Sequence, residues 1–141
     1  MIGVVGPDAE GERLADALSE TGGSPRRGSA REVIAAGPDA VVAIGEPAVL
    51  DLVRAGVGVP VLPVSVGPGL GSVSVERAAD AADRLVAGDH ATQRHPLLGV
   101  EVDGERAGEA VFDAALIAIE PGRISEYAVA ADGVVDRFRA D

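Results

Sequence analysis

The chain contains no cysteine, no tryptophan and no lysine, and its aromatic residues are Phe112, Tyr127 and Phe138 alone. Without cysteine there are no disulfides and no thiolate metal sites. With so few aromatic rings, stacking on single-stranded nucleic acid has little to work with. All 12 basic residues are arginines, set against 23 acids, for a formal net charge of -11. An acidic field of that size repels DNA and anionic lipid, so neither nucleic acid nor membrane is an expected partner. No stretch is long and apolar enough for a membrane helix, and the N-terminus enters a strand pattern without a charged leader. The expectation is a cytoplasmic protein. Acid excess without lysine, in an Ala-, Val- and Gly-rich chain, reads as a halophilic surface whose self-repulsion is screened at high salt. An ordinary acidic protein encoded by GC-rich DNA is the alternative.

What is present centres on the stretch from Asp39 to Ser74. Ala40–Ile44 and Val59–Val66 are apolar throughout, as expected of strands buried on both faces. A short helical pattern lies between them, with Val49, Leu50, Leu52 and Val53 clustered. This is a β-α-β unit, the building block of a parallel sheet. The strands end in Gly45 and Gly67, and open parallel sheets place ligands at such ends.

Upstream, residues 1–6 form a first buried strand, and Pro7-Asp8-Ala9 opens a helix to about Glu20 with Ala9, Leu14, Ala17 and Leu18 inward. The spacing from Gly6 to Gly11 matches the glycines of a phosphate-binding G-x-x-x-x-G-K-[ST] loop. Glu12 stands where its lysine belongs and Arg13 where its hydroxyl belongs, so a plain strand–turn–helix is the expected reading. Residues 21–29 read as loop; the Arg26-Arg27 pair can touch a phosphate or simply be solvated. Residues 30–36 read as a short helix with Val33 and Ile34 inward, stopped by Gly37-Pro38. Downstream, a helix is expected from Ser74 to about Ala87, with Ser74 as N-cap. Its apolar stripe is Val75, Ala78, Ala79, Ala82, Leu85 and Val86, with Asp80 paired to Arg84 on the wet side.

From His95 onward Leu98, Val100 and Val102 alternate with Gly99, Glu101 and Asp103, a half-buried strand followed by the hairpin signal Asp103-Gly104. Residues 110–119, 124–131 and 134–138 continue as strands, with Asp132-Gly133 another turn. The expected domains are an α/β domain over residues 1–90 and a β-strand segment over 91–141. Near Asp89, the histidines His90 and His95 stand five apart without a third strong ligand, so no metal site is expected. No Ser–His–Asp arrangement, catalytic carboxylate pair or H-E-x-x-H motif is visible.

The order of features resembles the NAD kinase family, which has a Rossmann-like domain, then a β-rich domain, with NAD bound between them. The family's G-G-D-G-T, which follows a buried strand, corresponds here to Gly45-Glu46-Pro47-Ala48-Val49. Its next strand, P-V-L-G-I-N-x-G-x-L-G-F, corresponds to Pro60-Val61-Leu62-Pro63-Val64-Ser65-Val66-Gly67-Pro68-Gly69-Leu70-Gly71-Ser72. Leu97–Val102 resembles the family's entry into the second domain, and Ala110-Val111-Phe112-Asp113 stands where A-x-N-E or A-x-N-D is usual. The resemblance implies a Rossmann-like parallel sheet with flanking helices, followed by antiparallel strands of an incomplete all-β second domain. It implies phosphoryl transfer from ATP to NAD, giving NADP, with Mg as the metal.

The motif residues depart from the family in chemistry. Its motif aspartate, which lies near the ribose hydroxyl to be phosphorylated, becomes Pro47, with neither an ionisable group nor a backbone N–H. The second glycine becomes Glu46, whose charge opposes a triphosphate. The NAD-gripping asparagine becomes Phe112, beside the acid Asp113, and the strand-end asparagine becomes Ser65. The expected nucleotide-binding set is Gly45, Glu46, Ser65, Gly67, Gly69, Gly71 and Asp113, with no residue assigned to catalysis and none to metal. The family continues beyond the position of Asp141 into D-G and a T-P-T-G-S-T-A-Y-like loop. The chain is therefore expected to be a fragment, or a shortened paralogue from a haloarchaeal source that forms a homo-oligomer through its β strands. An impaired kinase and a non-catalytic nucleotide-binding or regulatory module both follow from these residues.

Overall fold

The computed structural model describes residues 1–67, 69–115 and 125–140. They fall into two compact units, Met1–Pro96 and Leu97–Asp141.

The first unit is built on a parallel sheet in which β1 (Ile2–Val5) and β3 (Ala40–Ile44) are the central strands. Every residue of both is buried, which explains why their sequences show unbroken apolar runs rather than alternation. β2 (Pro25–Arg27) and β4 (Val61–Val64) flank them, giving the order β2-β1-β3-β4. Ile2 is level with Ala40, and Val42 with Leu62.

Helices cover both faces. α1 (Asp8–Glu20) and α4 (Ala78–Val86) share one. There Leu14, Leu18, Ala78 and Ala82 join Ile2, Val4, Val42, Ile44 and Val64 in one buried cluster. Thr21 Oγ1, just past α1, donates to Asp83 Oδ1 on α4 at 2.8 Å. α2 (Ala30–Ala35) and α3 (Glu46–Arg54) contribute the buried Val33, Ala48, Val49 and Leu52. Gly3, in the middle of β1, allows α2 its close approach: a Cβ there would lie 2.3 Å from Val33 Cγ1. α2 has a capping box, in which Ser29 Oγ accepts from the Glu32 N–H and the Glu32 carboxylate accepts from the Ser29 N–H at 2.9 Å.

Several local expectations need correction. Residues 21–29 are not all loop, since Pro25–Arg27 pairs in parallel with β1. Its proline opens the strand and its other two residues are arginines, so no apolar pattern marks it. β4 is an outer strand and only half-buried along most of its length. Ala9 is exposed, and the inward residues of α1 are Gly11, Leu14, Ala15 and Leu18. The helix expected from Ser74 begins as a 3-10 turn over Val75–Arg77, and the Ser74 side chain makes no capping bond. Val75 and Val86 are exposed, and of the stripe only Ala78 and Ala82 are buried. Arg84 pairs with Asp89 at 2.9 Å rather than with Asp80.

The second unit contains two antiparallel hairpins. β5 (Leu98–Val102) pairs with β6 (Glu105–Ala110), and β7 (Ser125–Ala131) with β8 (Val134–Ala140). Both turns are Asp-Gly, with positive φ at Asp103, Gly104, Asp132 and Gly133, the conformation that two-residue hairpin turns require. Tyr127 and Phe138 face each other across β7 and β8 with ring centroids 5.4 Å apart. The strand expected over 110–119 does not form from Val111 to Ala115, and its remainder lies outside the described residues. Leu98 and Val102 are exposed rather than half-buried. The described strands form separate ribbons, not one sheet.

A candidate ligand crevice at the ends of β1 and β3

The strand order places a switch point between β1 and β3. The chain leaves β1 for β2 on one side, then returns to β3 on the other. Open α/β sheets bind ligands outside the carboxyl ends of the strands at such a point. Here that place holds a crevice of about 540 Å³. Val4, Val5, Ile44 and Ala48 supply apolar lining, Gly6 and Gly45 form the strand ends, and Pro47 stands on the rim. Gly6 is glycine because the neighbouring strand end is close: a Cβ would lie 2.6 Å from Ile44 Cβ. Gly45 precedes α3 with φ of 82°, and its N–H donates to Val64 O at 2.8 Å. That left-handed backbone favours glycine.

The charged lining comes from three elements: Asp8 at the start of α1, Arg27 at the end of β2 and Asp51 on α3. Arg27 is level with Val4 in the sheet and lies under α1. Gly11 makes room for it, since a Cβ there would lie 3.3 Å from Arg27 Nε. The second glycine of the Gly6–Gly11 spacing therefore serves packing. Arg27 donates to the Asp8 carbonyl at 3.0 Å and approaches the Asp8 carboxylate at 3.4 Å. The Arg27 side chain is one-third exposed and the Asp8 side chain fully so, which makes the ion pair a weak one. Asp51 pairs loosely with Arg54 at 3.5 Å.

Of the residues expected from sequence, Gly45 lines this crevice. Glu46 is exposed at the first position of α3, with its carboxylate over Gly67, where a Cβ would lie 2.8 Å from Oε1. Ser65 follows β4 at a φ of 51°, and its N–H donates to Val73 O at 2.8 Å. Gly69 and Gly71 have positive φ, and Ser72 Oγ ties this loop to Val66 O at 2.6 Å; Pro68 lies outside the described residues. Asp113 belongs to the second unit, exposed and outside any strand. Its expected place in an apolar strand is thus corrected. Arg27, Asp8 and Asp51 were not singled out from sequence as a set. The available signal was the run Arg26-Arg27-Gly28-Ser29, hidden because β2 has no apolar residue. Among the described residues no cluster of three acidic or histidine side chains is arranged to hold a metal ion, and no helix is long and apolar enough to cross a membrane.

These features define an open, doubly wound α/β unit with a ligand crevice at its switch point. No protein-family model and no curated protein matches the chain. Among solved structures it is similar to an NAD kinase from Archaeoglobus fulgidus in complex with ATP. The TM-score is 0.64 and the identity 18%, over 99% of this chain and 57% of the kinase chain. The chain thus spans little more than half the length of that kinase. The fold is NAD kinase-like, a parallel sheet with flanking helices followed by antiparallel strand pairs.

Proposed function

We propose that this chain is an NAD kinase-like nucleotide-binding protein in which phosphoryl transfer from ATP to NAD, giving NADP, is impaired. The observation that carries the reading is Pro47 on the rim of the crevice, directly after Gly45 and Glu46. A side chain there that positions a hydroxyl nucleophile must accept or orient a proton, and proline can do neither. Phosphoryl transfer depends on positioning and on cations that neutralise developing charge. In the crevice the cation is Arg27, already beside Asp8, while Asp8 and Asp51 oppose a triphosphate. Magnesium takes oxygen ligands, and these two carboxylates have that chemistry. An ion held by one or two carboxylates completes its shell with water and substrate phosphates, so any magnesium here would arrive with ATP and no step is assigned to a resident ion.

Binding is a different matter from turnover. The apolar lining suits a nucleobase, and the carboxylates suit ribose hydroxyls. Gly45, Glu46, Ser65, Gly67, Gly69 and Gly71 form the neighbouring strand-end loops and are proposed as further contacts. Exposed Val134, Val135 and Phe138 support self-association through the hairpins, and the acid excess supports a salt-adapted, haloarchaeal-type surface.

The test is thermal unfolding in molar KCl with NAD, NADP and Mg-ATP, run beside an assay for NADP formation. A ligand at 100 times its Kd stabilises the folded state by about 2.7 kcal/mol. The expected outcome is a midpoint raised by NAD or NADP and no NADP formed above background. Sustained NADP formation overturns the impairment; absence of any shift overturns nucleotide binding.

A further inference from the structure

We propose that Arg27 reads a phosphate monoester on the ribose of an adenine nucleotide seated in the β1–β3 crevice, so that the site prefers NADP to NAD. The inference rests on the nucleotide-binding reading above and names the ligand class of the same site. In the dinucleotide-binding form of the doubly wound sheet the end of the strand after the first helix faces the adenosine ribose, and we place the nucleotide here in that orientation. A carboxylate there accepts from a free 2′-hydroxyl, whereas an arginine accommodates a 2′-phosphate. That strand is β2, adjacent and parallel to β1, and it ends in Arg26-Arg27 with no acid.

The two arginines are not equivalent. Arg26 acts on Glu32, whose carboxyl is held below its ordinary value chiefly by the Ser29 hydroxyl and to a lesser degree by the Arg26 charge. Arg27 lines the crevice and is held under α1 by the room that Gly11 leaves. One of its terminal nitrogens is engaged by Asp8. A guanidinium has five N–H donors in a planar fork suited to two phosphate oxygens, which leaves capacity for an anion. The weak carboxylate contact at 3.4 Å is what a doubly charged phosphate displaces. Asp8 is therefore a competitor for Arg27, and its charge opposes the ligand.

Calorimetric titration of the whole chain with NADP and NAD, at one salt concentration, tests this directly. The dinucleotides differ only in the 2′-phosphate, and charge-assisted hydrogen bonds support a preference of about tenfold for NADP. Arg27→Gln is expected to abolish the preference by weakening NADP while leaving NAD nearly unchanged. Asp8→Asn is expected to increase it, a direction that lost packing cannot produce, and it serves if Arg27→Gln fails to fold. Equal affinity for NAD and NADP, or a preference that neither variant moves, overturns the role of Arg27 and leaves nucleotide binding standing. Binding of neither dinucleotide overturns both.

Discussion

Adding one methyl group to Gly3 should destabilise the first unit, and trimming Val33 should largely reverse the effect. The Gly3 position would place a Cβ 2.3 Å from Val33 Cγ1 and 3.1 Å from Val41 Cγ2. Carbon atoms in contact sit at about 3.5–4.0 Å, so one group must move by more than an ångström. Val33 and Val41 are both 0% exposed, which leaves no free volume for that movement. Overpacking of this kind costs about 1–3 kcal/mol. A smaller gain of about 0.4–1 kcal/mol from a stiffer unfolded chain offsets it only in part. Val33→Ala alone removes two carbons from a fully buried side chain, about 1.6 kcal/mol at ~0.8 per methylene, with a cavity term on top. In the double variant the new methyl occupies the space the valine left. The two costs should then fall short of additivity by about 1–2 kcal/mol. Urea unfolding of the four proteins at fixed salt measures this from the midpoints, provided the slopes agree. Additivity within about 0.5 kcal/mol would refute the claim that Gly3 sets the distance between β1 and α2.

Other perturbations probe separate links. Leu52→Ala, at a position with no exposure between α3 and the sheet, should cost about 2–5 kcal/mol in the same urea assay. Gly45→Ala should lose about 1–2 kcal/mol, because its φ of 82° suits only glycine; an unchanged midpoint would contradict that geometry. Ser29→Ala should cost about 1 kcal/mol through the lost α2 cap. The Glu32 carboxyl, lowered mainly by the Ser29 hydroxyl and backbone, should also shape the acid limb of stability. Because its folded value lies below its unfolded one, its contribution is complete above the unfolded value. It disappears as pH falls through the folded one. Stability measured against pH should therefore slope less steeply on the acid side in Ser29→Ala than in the parent.

The legibility of this fold follows from burial. β1 and β3 lie in the middle of the sheet with helices on both faces, so every position is apolar and the sequence announces them. The hairpins were legible through Asp103-Gly104 and Asp132-Gly133, whose backbones take the positive φ that those residues tolerate. β2 was not legible, since a three-residue strand of Pro25, Arg26 and Arg27 has one neighbour and no buried side chain. Val75 and Val86 fit the helical period of α4 but lie beyond the area the sheet covers. The crevice was half legible. Gly45 could be read as a strand end, but the order β2-β1-β3-β4 is a property of three-dimensional wrapping. Only that order brings Arg27, Asp8 and Asp51 to one place.

The outer strands of the sheet have a consequence for how molecules of this protein can meet. An open strand edge is a template on which another chain can crystallise its own backbone. β2 offers almost nothing to such a template: three residues long, it starts with a proline that has no N–H and continues with two like charges. On the far side β4 contains Pro63, and Val73 already occupies the backbone of Pro63 and Ser65. The parallel sheet is thus closed to growth at both margins. Among the described residues, a neighbour threaded along either edge would meet few free backbone groups, which keeps the crevice at the sheet's end clear of such a strand.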